Sequence, residues 1–246
     1  MREAALKTPP AAATGALLTV RGLEGWYGES HVLHGIDIDV RTGEVITLLG
    51  RNGAGKTTTL RAIIGILGKR AGSIVYDGVE TIRMASRNIA RLGIGYVPEE
   101  RGIFASLTVH ENLMLPPRVK PGGMSVDEIH QLFPNLKERA GSQGTKLSGG
   151  EQQMLAIGRI LRTGAKLILL DEPTEGLAPV IVQQIGRTIQ QLKAQGYTIV
   201  LVEQNFRFAQ TLADRHFVIE QGRVVDMIPN AELDANIDKL HAYLGV

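Results

Sequence analysis

The chain has no cysteine among its 246 residues, which excludes disulfides, thiolate metal sites and cysteine nucleophiles. Aromatic residues are scarce at 4%, with a single tryptophan, so any ring near a candidate site carries weight. An excess of one charge sign is also missing: 27 Lys plus Arg face 25 Asp plus Glu, a net of +2. That balance argues against a nucleic-acid binder working by bulk charge. Long apolar runs are absent too. The aliphatic stretch Leu167-Ile168-Leu169-Leu170 is strand-length, whereas a membrane-spanning helix needs roughly 20 apolar residues. A membrane role would therefore run through partner chains. The first 16 residues carry Arg2, Lys7 and Pro9-Pro10 but no apolar stretch long enough for a signal peptide, and a disordered tail is expected there. Apolar residues make up 43%, enough for a substantial core.

What is present is concentrated in short segments. Gly50-Arg51-Asn52-Gly53-Ala54-Gly55-Lys56-Thr57 is a phosphate-binding loop pattern that arises by chance in roughly one chain in a hundred of this length. Its context fits. Glu44 to Leu49 reads as a buried strand, apolar nearly throughout. Thr57 to Leu67 reads as a helix through Leu60, Ile63, Ile64 and Leu67, with Gly68 at the expected C-cap. Gly50, Gly53 and Gly55 let the backbone present N–H groups to phosphate oxygens. Lys56 supplies a compact positive charge to the β- and γ-phosphates, and Thr57 a hydroxyl for Mg²⁺. Asn52, Ala54 and Thr58 complete the set expected to bind nucleotide.

A second carboxylate centre follows. Leu167 to Asp171 reads as a buried strand whose terminal Asp171 is placed to hold the Mg²⁺ shell. Glu172, the next residue, is placed to polarise an attacking water as general base. The histidines carry little signal: His31 and His34 lie in a strand-like stretch without further ligands, and zinc sites usually need three or four.

Between about Ser106 and Gly164 the pattern changes to a helical lobe. Thr108 with Glu111 and Ser125 with Glu128 form capping boxes, and Pro116-Pro117 and Pro121-Gly122-Gly123 break the chain between them. Ser148, Gly149, Gly150 and Glu151 start a helix bearing Met154, Leu155, Ile157 and Leu161. This segment has two compatible readings. It is a capping box, and a capped helix start with adjacent glycines is also an anion site. Strands at Leu18–Leu23, Val32–Val40 and Thr198–Val202, a hairpin around Gln221-Gly222 and a short C-terminal helix complete the pattern. Strands alternating with helices point to an α/β layered fold.

The phosphate loop, Leu147-Ser148-Gly149-Gly150-Glu151-Gln152 and the Asp171-Glu172 pair resemble the nucleotide-binding subunit of an ATP-binding-cassette transporter, from about Leu17 onward. The six-residue segment alone arises by chance on the order of once in 10⁵ chains. The resemblance implies an α/β P-loop core with a mostly parallel layered sheet, an antiparallel N-terminal part and an inserted lobe at about 106–164. One cassette domain would cover 17–246. It implies ATP and Mg²⁺ as ligands, and a sandwich of two cassettes in which Ser148 to Glu151 contact the γ-phosphate held by the other subunit. An aromatic residue stacks on adenine in the family. Tyr27 is at that place, with Trp26 as the adjacent alternative.

Departures from the family pattern narrow the resemblance. Glu99 replaces the usual glutamine after Val97-Pro98, and is a candidate Mg²⁺ or water ligand. Gln204 falls where most members have a histidine touching the γ-phosphate; its amide donates a hydrogen bond but cannot become cationic. Ala178 stands where aspartate is common. These segments look like the smaller ATPase subunit of bacterial branched-chain amino acid importers. The resemblance then implies a second cassette ATPase, two integral membrane permease subunits and a periplasmic binding protein as partners, at the cytoplasmic face of the inner membrane, and no nucleic acid. The same motor serving urea or an amide is the alternative. A soluble cassette in DNA maintenance or translation is more remote, since such proteins usually carry two cassettes or long coiled-coil insertions.

Overall fold

Buried and exposed positions alternate along Ala16–Tyr27 and Ser30–Arg41, and these become β1 and β2, paired antiparallel around a two-residue turn. The computed structural model describes residues 15–245. The tail expected over residues 1–16 thus lies largely outside the described residues, and its last member, Ala16, pairs with Arg41 in β1 instead. Val45–Leu49 is buried throughout and forms β3, leading into the helix α1 over Lys56–Ile63. The expected helix is shorter by a turn. Gly65 (φ 77), not Gly68, makes the left-handed exit, and a Cβ there would meet Ile89 Cδ1 at 2.7 Å.

The chain continues through β4 (Lys69–Tyr76), β5 (Val79–Glu80), α2 (Ser86–Arg91) and β6 (Ile94–Val97). The segment expected as a lobe holds α3 (Val109–Met114), α4 (Val126–Leu132), α5 (Pro134–Glu138) and α6 (Gly149–Arg162). Three of these helices start on full capping boxes, at Thr108/Glu111, Ser125/Glu128 and Ser148/Glu151. Then come β7 (Leu167–Asp171), α7 (Pro179–Ala194), β8 (Thr198–Val202) and α8 (Phe206–Gln210). The hairpin β9 (Arg215–Glu220) and β10 (Arg223–Pro229) leads to α9 (Ile237–Leu244). Among the described residues no helix is long and apolar enough to cross a membrane.

Two sheets result. One is antiparallel, in the order β2-β1-β4-β5; the other runs β10-β9-β3-β8-β7-β6, parallel except for the edge strand β10. Leu60 and Ile63 of α1 pack between them with Leu33, Ile36, Ile38 and Leu48. The opposite face of the parallel sheet packs Leu170 and Leu201 against Met154, Leu155 and Ile185 of α6 and α7. Arg215 joins the sheets: its Nε donates to Glu44 Oε1 at 2.6 Å and its Nη2 to Asp39 Oδ2 at 2.9 Å. Those carboxylates, Glu44 first, hold the guanidinium above its ordinary pKa.

This order sets out the site. Strands β3, β8, β7 and β6 are adjacent and parallel, so the residues after them meet at one edge. That edge is the carboxyl end of the sheet, where ligands of open α/β folds bind.

Candidate functional site

The phosphate loop leaves β3 at Gly50 and is pinned from behind by the β9–β10 hairpin. Gly222 N–H donates to Ala54 O at 2.8 Å. A Cβ on Gly50 (φ 152) would meet Ile219 O at 2.2 Å, so only glycine fits there. Gly55 (φ 109) is the N-cap of α1 and has no side-chain cap, which leaves the first helical N–H groups for an anion. Lys56 is buried, and its Nζ donates to Gly50 O at 2.8 Å and Arg51 O at 3.1 Å. Burial lowers its pKa, against the pull of Glu172, Asp171, Glu175 and Glu203.

Asp171 ends β7 and is 1% exposed. Its Oδ1 accepts from Thr57 Oγ1 at 2.8 Å, and its Oδ2 accepts from Tyr96 Oη at 2.9 Å. Burial pushes the carboxyl up, and the Thr57 and Tyr96 hydrogen bonds oppose it. Glu172 turns away from the strand with a left-handed backbone, φ 45. Its Oε1 lies 3.8 Å from Lys56 Nζ, and its Oε2 accepts from Gln204 Nε2 at 2.6 Å. Burial and the neighbouring Glu175 carboxyl push Glu172 up to about 7. A base at that pKa is well matched to neutral pH. Glu99, after β6, is also pushed up, by burial and then by Glu175 and Asp171.

One cleft of ≈ 360 Å³ collects these groups. Asn52, Gly53, Gly55, Lys56, Thr57 and Thr58 line one side. Glu99, Glu172, Glu175 and Gln204 line the other. Gly50 and Asn52 also face a neighbouring cleft beside α9, and Ala54 is buried beneath the loop. Three carboxylates, Glu99, Glu172 and Glu175, share this cleft with a single lysine, so a polyphosphate enters it well only with a compensating cation. Among the described residues no group of three or more His, Cys, Asp or Glu is placed to hold a metal alone. That donor set suits Mg²⁺, which takes one or two carboxylates and completes its shell with phosphate and water.

The remaining sequence-predicted residues lie elsewhere. Ser148 is exposed at the N-cap of α6, with its Oγ accepting from Glu151 N–H at 3.3 Å, and Gly149, Gly150 and Glu151 form the first turn. None of the four lines the cleft holding Lys56. Gly150 has no room for a side chain, because a Cβ would meet Ile181 Cγ2 at 2.7 Å. The two candidate aromatic residues are separated by their surroundings. Trp26 stacks on His31 at 4.4 Å and lies under Lys69, whereas Tyr27 keeps a ring 44% exposed.

Sequence reasoning missed three contributors. Arg61 on α1 stands 3.5 Å from the Tyr27 hydroxyl and 3.4 Å from Glu100. Tyr96 grips Asp171 from β6, and Glu175 raises Glu172. Tyr96 sits three residues before Glu99 in a segment already singled out, which was the available signal.

A glycine loop between strand and helix, its lysine, and two successive carboxylates at the end of a nearby strand define a phosphate-loop nucleoside triphosphatase. The family model described as ABC transporter matches residues 33–175. The chain is 44% identical to the high-affinity branched-chain amino acid transport ATP-binding protein BraG of Pseudomonas aeruginosa, covering 93% of this chain and all of that one. It is 33% identical to the lipopolysaccharide export system ATP-binding protein LptB of Escherichia coli, over 94% and 98%. Among solved structures, a nucleotide-free ATP-binding cassette superposes with a TM-score of 0.81 at 23% identity, covering 94% and 99%. An ATP-binding subunit of an ABC transporter does so at 0.78 and 28%, covering 94% of this chain and all of that one. The chain belongs to the ATP-binding cassettes of ABC transporters, and it is an ATPase.

Proposed function

We propose that this cassette drives a membrane importer for branched-chain amino acids. The observation that carries the cargo is its 44% identity to BraG along 93% of this chain and all of that one. In this reading the loop N–H groups and Lys56 bind the β- and γ-phosphates, while the exposed ring of Tyr27 stacks on adenine. Thr57, Asp171 and Glu99 would hold Mg²⁺, which when bound offsets the charge shared by phosphates and carboxylates. Glu172 takes a proton from the attacking water, and Gln204 orients the Glu172 carboxylate. Ser148 to Glu151 act on the nucleotide of a second cassette, which explains why they are absent from the cleft of Lys56. The chain is peripheral to the membrane and docks there on two permease subunits, with a periplasmic binding protein delivering the solute.

The 33% identity to LptB supports a second reading, the same motor serving a different cargo. Uptake decides between them. Membrane vesicles holding the complete complex and its binding protein are supplied with ATP and labelled leucine, isoleucine, valine, urea or acetamide. Accumulation of the three amino acids, abolished by Lys56→Ala, is the expected result. Accumulation of urea or acetamide alone, or of none, overturns the cargo assignment.

A further inference from the structure

Glu203 takes no part in the chemistry above, yet it is a carboxylate only 2% exposed. Burying a charge costs several kcal/mol unless its oxygens are well partnered, so its presence calls for a reason. It directly follows β8 and stands between two turns. Its Oε1 accepts from Thr174 Oγ1 at 2.6 Å, and its Oε2 accepts from the Asn205 backbone N–H at 3.3 Å. Thr174, itself buried, is two residues beyond Glu172; Asn205 directly follows Gln204.

We propose that Glu203 is a positioning residue for the catalytic base, tying the turn that carries Glu172 to the turn that carries Gln204. The Glu172 turn leaves β7 in a left-handed conformation and is fastened to β8 at its start, where Glu172 N–H donates to Val202 O at 3.0 Å. Glu203 supplies the second fastening, at Thr174. With both ends of the turn held on β8, the Gln204 amide meets Glu172 Oε2 at 2.6 Å. The carboxylate has the acceptors this needs, one oxygen for each turn. Glutamine would keep the Thr174 bond but turn an N–H₂ toward the Asn205 N–H.

This inference rests on the reading of Glu172 as base, and it predicts more than loss of activity. Thr174 and Glu203 act through one shared contact, so cutting it from either side disables the same brace and the two losses should not add.

The test uses the full chain in its purified membrane complex. Thr174→Val, Glu203→Ala and their double variant are compared with Thr174→Ser, each first shown to bind ATP. Either single change is expected to lower kcat about 10- to 100-fold, the usual cost of a misplaced catalytic group. The KM for ATP stays within about twofold, since binding is untouched. The double variant is no worse than the worse single one, and Thr174→Ser behaves as native. Additive losses or a change confined to KM overturn the brace. Glu172→Gln in the same complex separates the two claims. Normal turnover there removes the base assignment and the brace with it, whereas loss there combined with additive Thr174 and Glu203 effects removes the brace alone.

Discussion

Replacing Glu172 with glutamine is expected to leave ATP binding intact while lowering turnover by about 10²- to 10⁴-fold, the usual contribution of a general base. The groups that would grip the phosphates are separate from it: the loop N–H groups, Lys56 Nζ and the Thr57 hydroxyl all remain. The amide is nearly isosteric and can still accept from Gln204 at Oε, so the turn keeps its place. What disappears is a carboxyl pushed up to about 7 by burial and by Glu175, and so matched to taking a proton at neutral pH. The variant should therefore hold two cassettes closed on uncleaved ATP. Calorimetric ATP titration and phosphate release in the assembled complex check both halves. Turnover near the native rate contradicts the role given to Glu172.

The second large effect falls outside the cleft that holds Lys56. Ser148→Arg is expected to abolish hydrolysis at the nucleotide held by the partner cassette, and to spare binding at Lys56. Losing the N-cap alone costs about 1 kcal/mol, which does not stop an enzyme. The loss comes instead from a long side chain placed over the exposed helix start, where N–H groups and the positive dipole end would meet a γ-phosphate. Ser148 lies outside the cleft of its own Lys56, so ATP binding by the isolated variant should match the native chain. Loss of that binding contradicts the action in trans.

What could be read from the sequence was local. The strand–loop–helix at Gly50, the three Ser/Thr-x-x-Glu capping boxes and the aliphatic strand before Asp171 all depend on neighbours within a few residues. What could not be read was set by pairing across the fold. Tyr96 reaches Asp171 only because β6 lies beside β7, and Glu203 meets Thr174 only because β8 lies on the other side of it. Arg215 reaches Glu44 and Asp39 from far along the chain. No spacing rule predicts such contacts. The misjudged end of α1 has a different cause: Leu67 continues the helical period, but it is buried in the core after a glycine turn rather than on the helix. The choice between Trp26 and Tyr27 also needed three dimensions, because His31 on β2 and Lys69 on β4 engage the tryptophan ring from the two strands flanking β1.

This ATPase is expected to work as part of a membrane machine. Purification of the tagged chain from solubilised native membranes, with mass spectrometry of everything that co-elutes, tests it most directly. Two hydrophobic permease subunits and a second cassette ATPase are expected in the eluate. Recovery from the soluble fraction alone, together with ribosomes or nucleic acid, would contradict it.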